Sequence, residues 1–252
     1  MDLIDTHAHL EDLENLEESL ERASVAGVIA VITMGSDYES NLWALRAGGA
    51  YKGGRLMVYP ALGIHPWNLD ASKIEENIKL IRENVDRVVA LGEIGLDYWY
   101  REVRRNREKR EEQMALFRRL LEIAERNSKP VSIHSRGAWE DAVEITIESG
   151  VKRAVFHWFT GPPTTLNKLL AHGYYVSATP AAAYSKEHRR VIQDTPLENL
   201  ILETDSPVEY QGEPAEPSHI LKALAAVAQL KGEKEELVAE KTTENARSIF
   251  KF

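Results

Sequence analysis

The sequence predicts an α/β fold of the (β/α)8 TIM-barrel type, a single domain over residues 1–252 with an extra C-terminal helix. Three observations lead there: about eight short β-branched runs alternating with helical segments, a length of 252 residues, and reactive side chains gathered at one end of those runs. The runs are Leu3–Asp5, Val28–Thr33, Leu56–Gly63, Val88–Gly92, Val131–Ile133, Ala154–Phe156, Tyr174–Ser177 and Leu200–Leu202. Between them lie amphipathic segments such as Leu16–Ala26, Ile74–Asn84, Glu111–Asn127, Trp139–Ser149 and Thr164–Ala171. Two more follow the last run, Ser218–Leu230 and Glu233–Phe250, and read as structural cover for the barrel's side. Strands spaced by helices imply right-handed βαβ units and a parallel sheet. An open doubly wound sheet shares this alternation, so periodicity does not separate the two. No Ser/Gly-rich linker, low-complexity tract or fixed-period repeat interrupts the chain.

The polar residues favour the barrel. The first run leads into Asp5-Thr6-His7-Ala8-His9 and the third into Gly63-Ile64-His65-Pro66. The fourth leads into Gly92-Glu93-Ile94-Gly95-Leu96-Asp97, the fifth into Ile133-His134-Ser135-Arg136, the sixth into Phe156-His157-Trp158 and the eighth into Leu202-Glu203-Thr204-Asp205-Ser206-Pro207. Six of eight strand ends thus deliver His, Glu or Asp, and five of the eight histidines are used there. In a parallel barrel the loops after the strands surround one mouth, where active sites sit. His172, His188 and His219 fall in predicted helices or at their edges and are left out of the site.

Composition narrows the chemistry. A net charge of −9 argues against wholesale coating of nucleic acid but not against a locally basic groove. Cysteine is absent, which excludes disulfides, thiol catalysis and sulfur ligands and fits a reducing compartment. Asp2 and Asp5 stand where a secretory signal would be basic, and the longest apolar stretch, Val25–Met34, is too short to span a bilayer. The expectation is a soluble, cytoplasmic protein with no membrane partner and no obligate protein partner.

Taken singly, each polar residue has an ordinary explanation. A lone His65 or His157 is more often a hydrogen-bonded core residue, Glu93 a turn carboxylate, and Asp205 a turn former before proline. Together, His7, His9, His134, His157, Glu93 and Asp205 have the composition of a metal site on rigid strand ends. Six ligands exceed what one tetrahedral hydrolytic ion uses, and they suit two ions sharing a carboxylate. Imidazole-rich sites favour Zn, Mn or Fe, and the carboxylates extend the range to Mg.

The strings DTHAHL, GIHPW, LGEIGLDY, QMALF, PVSIHSR, FHWFTG and LETDSP resemble the TatD family of metal-dependent deoxyribonucleases, within the amidohydrolase-like barrels. They run from the first residues to Asp205. The resemblance implies that His7, His9 and Asp205 hold one divalent ion and His134 and His157 another, with Glu93 bridging. It also implies that Asp205 orients or deprotonates the attacking water and that His65 and Arg136 contact substrate phosphate, a task suited to a planar guanidinium. The implied substrate is DNA, trimmed from single-stranded ends by a hydroxide held between the ions.

Two stretches depart from expectation. After LETDSP the family continues with an Arg- and Asn-containing stretch, whereas Val208–Pro217 here is acidic and lacks arginine. That loop favours the alternative of an amidase or lactonase attacking a carbonyl. The second stretch is Asp97-Tyr98-Trp99-Tyr100-Arg101, followed by a run to Arg110. Its three aromatics and six basic residues suit a single nucleic-acid strand, or else form a solvated helix start with glutamates paired to arginines. Trp67 and Trp158 either line the same mouth or pack the barrel end. A non-enzymatic barrel with a decayed site is the remaining reading, and the complete ligand set argues against it.

Overall fold

A computed structural model of the chain describes residues 1–51 and 55–252. The element order is β1 (Leu3–Ala8), α1 (Leu16–Val25), β2 (Val28–Met34), α2 (Tyr38–Ala50), β3 (Met57–Leu62), α3 (Ala71–Asn84), β4 (Ala90–Gly95) and α4 (Arg107–Arg126). It continues with β5 (Val131–His134), α5 (Trp139–Ser149), β6 (Ala154–Phe156), α6 (Pro163–Ala171), β7 (Tyr175–Ala178), α7 (Lys186–Asp194) and β8 (Leu200–Leu202). A short hairpin of β9 (Glu209–Tyr210) and β10 (Glu213–Pro214) precedes α8 (Ile220–Lys231) and α9 (Glu235–Phe250).

Strands β1 to β8 pair in sequence order, all parallel, as the alternating pattern predicts. The seam between β8 and β1 closes through loop backbone. Asp205 N donates to His7 O at 2.9 Å, and His9 N donates to Ser206 O at 2.7 Å. Asp5 adds a side-chain clasp, its carboxylate accepting from Thr204 N at 2.9 Å and Thr204 Oγ1 at 2.6 Å. The barrel is therefore nearly closed, and His7, His9 and Asp205 meet along one seam.

Period-two alternation sorts the apolar residues into two layers. Val31, Leu62, Leu91, Ile94, Ile133 and Phe156 face the helices, while Ile4, Ala30, Ile32, Met34, Ala90, Val155 and Ile201 fill the barrel interior. Helix α9 joins the interior layer through Ala246, Ile249 and Phe250, and Phe252 stacks on Tyr59 at 4.1 Å. Thr243 Oγ1 bonds Asp2 O and Arg153 reaches Ile249 O, both just before strands begin. The closing helix thus plugs the end of the barrel opposite the strand C-termini, where side cover was expected from the sequence.

Several strand boundaries differ from expectation. β1 extends to Ala8 and β4 to Gly95, so His7 and Glu93 stand in strands, not in the turns after them. Helix α2 was not anticipated, because its buried positions are Asn41, Ala44 and Ala47 and give no apolar stripe. Its start is fixed by a capping box, with Asp37 Oδ1 accepting from Ser40 N at 2.8 Å and Ser40 Oγ accepting from Asp37 N at 2.9 Å.

Candidate metal centre

All six sequence-predicted ligands lie at one mouth of the barrel, around Glu93. His7 lies in β1 and His9 just past its end, and their rings meet edge-on, 5.3 Å apart. Both aim Nε2 at Glu93 Oε2, at 3.6 Å and 3.4 Å, and at Asp205 Oδ1, at 3.7 Å and 3.8 Å. The other oxygen, Oε1, faces His134 Nδ1 at 2.7 Å, His157 Nε2 at 2.8 Å and His65 Nε2 at 3.5 Å. The two carboxylate oxygens therefore serve two different groups of side chains.

Backbone conformation brings the strands this close. Gly95 has φ +145°, and a Cβ there would lie 2.0 Å from His134 O, so only glycine lets β4 and β5 meet where Glu93 and His134 face each other. Behind each of His7, His9, His134 and His157 stands a second polar group. Ser132 Oγ lies 3.1 Å from His7 Nδ1, Glu11 Oε1 3.9 Å from His9 Nδ1, Asp97 Oδ2 3.1 Å from His134 Nε2, and Glu203 Oε1 3.5 Å from His157 Nδ1. Such partners fix ring orientation in metal-binding histidines.

A divalent ion fits this donor set. His7 Nε2 is buried with no hydrogen-bond partner, and its nearest acceptors stand at 3.6 Å and 3.7 Å. Two ligands each ~2.0–2.2 Å from one ion stand roughly 3.0–3.7 Å apart, close to the spacing on the Oε2 side. Among the described residues three overlapping groups could hold an ion: His7, His9 and Glu93; His65, Glu93 and His134; and His7, His157 and Glu203.

The sequence profile described as TatD related DNase matches residues 4–251. The chain belongs to that family. Human deoxyribonuclease TATDN3 is 29% identical, covering 98% of this chain and 94% of its own length. The uncharacterized metal-dependent hydrolase YabD of Bacillus subtilis is 31% identical, covering 99% of both chains. Among solved structures, YJJV, a TatD homolog from Escherichia coli, superposes with TM-score 0.88 at 28% identity over 99% of this chain and 98% of its own.

In this TatD-family chain the mouth is electrostatically coupled. Burial raises the Glu93 carboxyl, but His65, His157 and His134 outweigh it and hold the group well below the usual carboxylate range. Burial likewise disfavours charge on His9, yet the hydrogen bond and charge of Glu93 carry it up to about 9. At His65 burial wins and lowers the ring to about 4. Its Nδ1 accepts from Trp67 N at 3.2 Å, which leaves the proton on Nε2 facing Glu93. Burial raises the Asp205 carboxyl, partly offset by His157, His7 and His9.

The two residues expected to contact substrate are placed differently. His65 sits inside the ligand cluster, whereas Arg136 stands at the rim, its side chain 42% exposed. Arg136 Nε and Nη2 both engage Asp97 Oδ2, at 3.0 Å and 2.9 Å, and the guanidinium lies 5.2 Å over the Trp67 ring. Asp97 also accepts from Trp67 Nε1 at 2.7 Å, and with Glu203 it is fully buried. Both acids stood inside the quoted motifs without a role. Their signal was a second carboxylate at the strand end of a candidate ligand, Asp97 four residues after Glu93 and Glu203 two before Asp205.

The acidic loop Val208–Pro217 is a hairpin whose turn residues Gln211 and Gly212 both have positive φ, as tight two-residue hairpins require. Tyr210 anchors it, with its hydroxyl donating to Thr204 O at 2.8 Å and its ring 5.4 Å from Trp158. Of its three carboxylates, Glu213 pairs with Lys222, and Glu216 binds Arg22, Ser19 and Ser218. The charge that favoured a carbonyl substrate is largely committed to holding the loop on α1 and α8. Among the described residues, no helix is long and apolar enough to cross a membrane.

Proposed function

We propose that this protein is a metal-dependent DNase that hydrolyses phosphodiester bonds, acting exonucleolytically on single-stranded ends with two divalent ions. The observation that carries the reading is the division of Glu93, with Oε2 toward His7 and His9, which also face Asp205, and Oε1 toward His134 and His157. In this reading His7, His9 and Asp205 would hold one ion, His134 and His157 the other, and Glu93 both. Zn, Mn or Mg would supply Lewis acidity at the phosphoryl oxygens and lower the pKa of a bound water.

The chain's own residues do the remaining work. Asp205 holds the attacking water and accepts its proton. His65, protonated on Nε2, donates toward a phosphoryl oxygen, and Arg136 offers Nη1 at the rim while Asp97 holds its other two nitrogens. A guanidinium already fixed by a buried carboxylate meets phosphate with little further ordering. The committed hairpin acids and the basic residues near Trp99 support phosphate over a carbonyl substrate.

Turnover of an end-labelled single-stranded oligonucleotide, with and without a chelator, tests this. Chelation is expected to abolish shortening from one end and readdition of metal to restore it. Cleavage that survives metal removal overturns the mechanism, and internal cleavage overturns the exonucleolytic part.

A further inference from the structure

The six basic residues between Arg101 and Arg110 do not form one uniform surface. Arg107 is tied to Glu111 at 2.8 Å and Lys109 to Glu112 at 2.7 Å. Arg110 turns back onto Val103 O and Arg104 O and covers the Tyr98 ring at 4.6 Å. Arg101, Arg104 and Arg105 remain exposed, with no carboxylate partner among the described residues. With Trp99 they line a cleft of about 330 Å³. The acid within this stretch, Glu102, lines the neighbouring cavity beside Tyr100 and Val103 instead. Three uncompensated cations around one indole make a basic patch on a chain of net charge −9.

Trp99 is 58% exposed yet held in place. Its ring meets Trp139 edge-to-face at 5.6 Å and 84°. It also lies over Gly137, where a Cβ would come within 2.4 Å of its ring carbon, and Gly137 has φ +70°. Asp97 Oδ1 accepts from Trp99 N at 2.9 Å, while Oδ2 of the same carboxylate faces His134 and Arg136. One buried acid therefore ties the Trp99 backbone to His134 of the candidate metal centre, and Gly137 directly follows Arg136.

We propose that Trp99, Arg101, Arg104 and Arg105 form a docking track for single-stranded nucleic acid, with a base stacked on Trp99 and successive phosphates on the three arginines. The inference rests on the nuclease reading above and adds where the strand lies beyond the scissile bond. An exposed, rigid aromatic beside guanidinium groups is the chemistry that binds unpaired bases and backbone with little sequence preference. A duplex keeps its base faces stacked and offers none to Trp99.

The test measures binding of a cleavage-resistant, phosphorothioate-linked oligothymidylate to the metal-loaded protein by fluorescence anisotropy across a salt series. Turnover of bis(4-nitrophenyl) phosphate, which has no flanking nucleotides, is followed in parallel. Combined Arg101→Gln, Arg104→Gln and Arg105→Gln is expected to weaken binding at least tenfold near 0.1 M salt. It should also flatten the slope of log K against log salt by about 2, at ~0.7 per phosphate contact. Trp99→Ala is expected to weaken binding roughly five- to 150-fold with little change in slope. Both variants should hydrolyse the small diester as the parent does, which confirms that they fold. Unchanged affinity and slope overturn the track, as does equal binding of a duplex. If the parent hydrolyses neither diester nor oligonucleotide, the nuclease reading fails, while the anisotropy series still decides whether the track exists.

Discussion

Replacing Asp97 by asparagine changes one atom and almost no volume, yet it reverses the polarity of a position that faces donors from three residues. Oδ2 of Asp97 lies 2.7 Å from Trp67 Nε1, 3.0 Å from Arg136 Nε and 3.1 Å from His134 Nε2. Oδ1 accepts from the backbone N–H groups of Trp99 and Tyr100 at 2.9 Å and 3.0 Å. An amide keeps the Oδ1 bonds but turns an NH2 group toward those donors. Breaking a buried charge pair costs ~3–5 kcal/mol, and the partly exposed Arg136 places this case near 3 kcal/mol. For a chain of this size that is a fall in Tm of about 6–12 °C. His134 also loses the carboxylate that orients it, which lowers metal affinity ~10–100-fold. Calorimetry of the chelated protein reads the first effect, and competition with a chromophoric chelator reads the second. Metal affinity within about twofold of the parent would refute the role given to Asp97, whatever happens to Tm.

Two further substitutions separate the site from its supports. Hydrogen bonding to Arg22 holds the Glu216 carboxyl at about 2, below its unfolded value near 4.3, so its stabilisation is complete above that value and disappears as pH falls through 2. With solvent screening of this exposed pair, Glu216→Gln is expected to cost about 1 kcal/mol at pH 7 and nothing near pH 2. Tm of both proteins against pH checks this, and a gap that widens in acid would contradict it. Phe250→Ala removes a buried ring from the plug at the far end of the barrel, costing ~3–5 kcal/mol while leaving metal affinity unchanged. Thermal melts and the same chelator competition read both parts, and a concurrent loss of affinity would show that the two ends are coupled.

The legible part of this molecule is the part in which one residue type suffices. Eight β-branched runs announce the strands, and strand-end His, Glu and Asp announce the mouth, because alternation and parallel pairing convert sequence order directly into position. Helix α2 escaped because Asn41, Ala44 and Ala47 are its buried face: Asn41 bonds Gly63 and Asn77, and Gly48, where a Cβ would lie 2.6 Å from Pro60, allows close approach to β3. Residues that act through others were equally hidden. Ser132, Glu11, Asp97 and Glu203 stand behind His7, His9, His134 and His157, and only the folded distances distinguish them from other polar residues. The acidic hairpin misled for a related reason, since Arg22, which neutralises Glu216, comes from distant α1, and Lys222, which pairs with Glu213, from the helix that follows.

The central claim is that the two oxygens of Glu93 serve two ions. Anomalous scattering from crystals grown with Mn²⁺ tests it most directly. The expected result is two peaks about 3.5–4 Å apart, one beside Oε2 among His7, His9 and Asp205 and one beside Oε1 among His134 and His157. A single peak, or peaks that leave Glu93 uncoordinated, would contradict the claim.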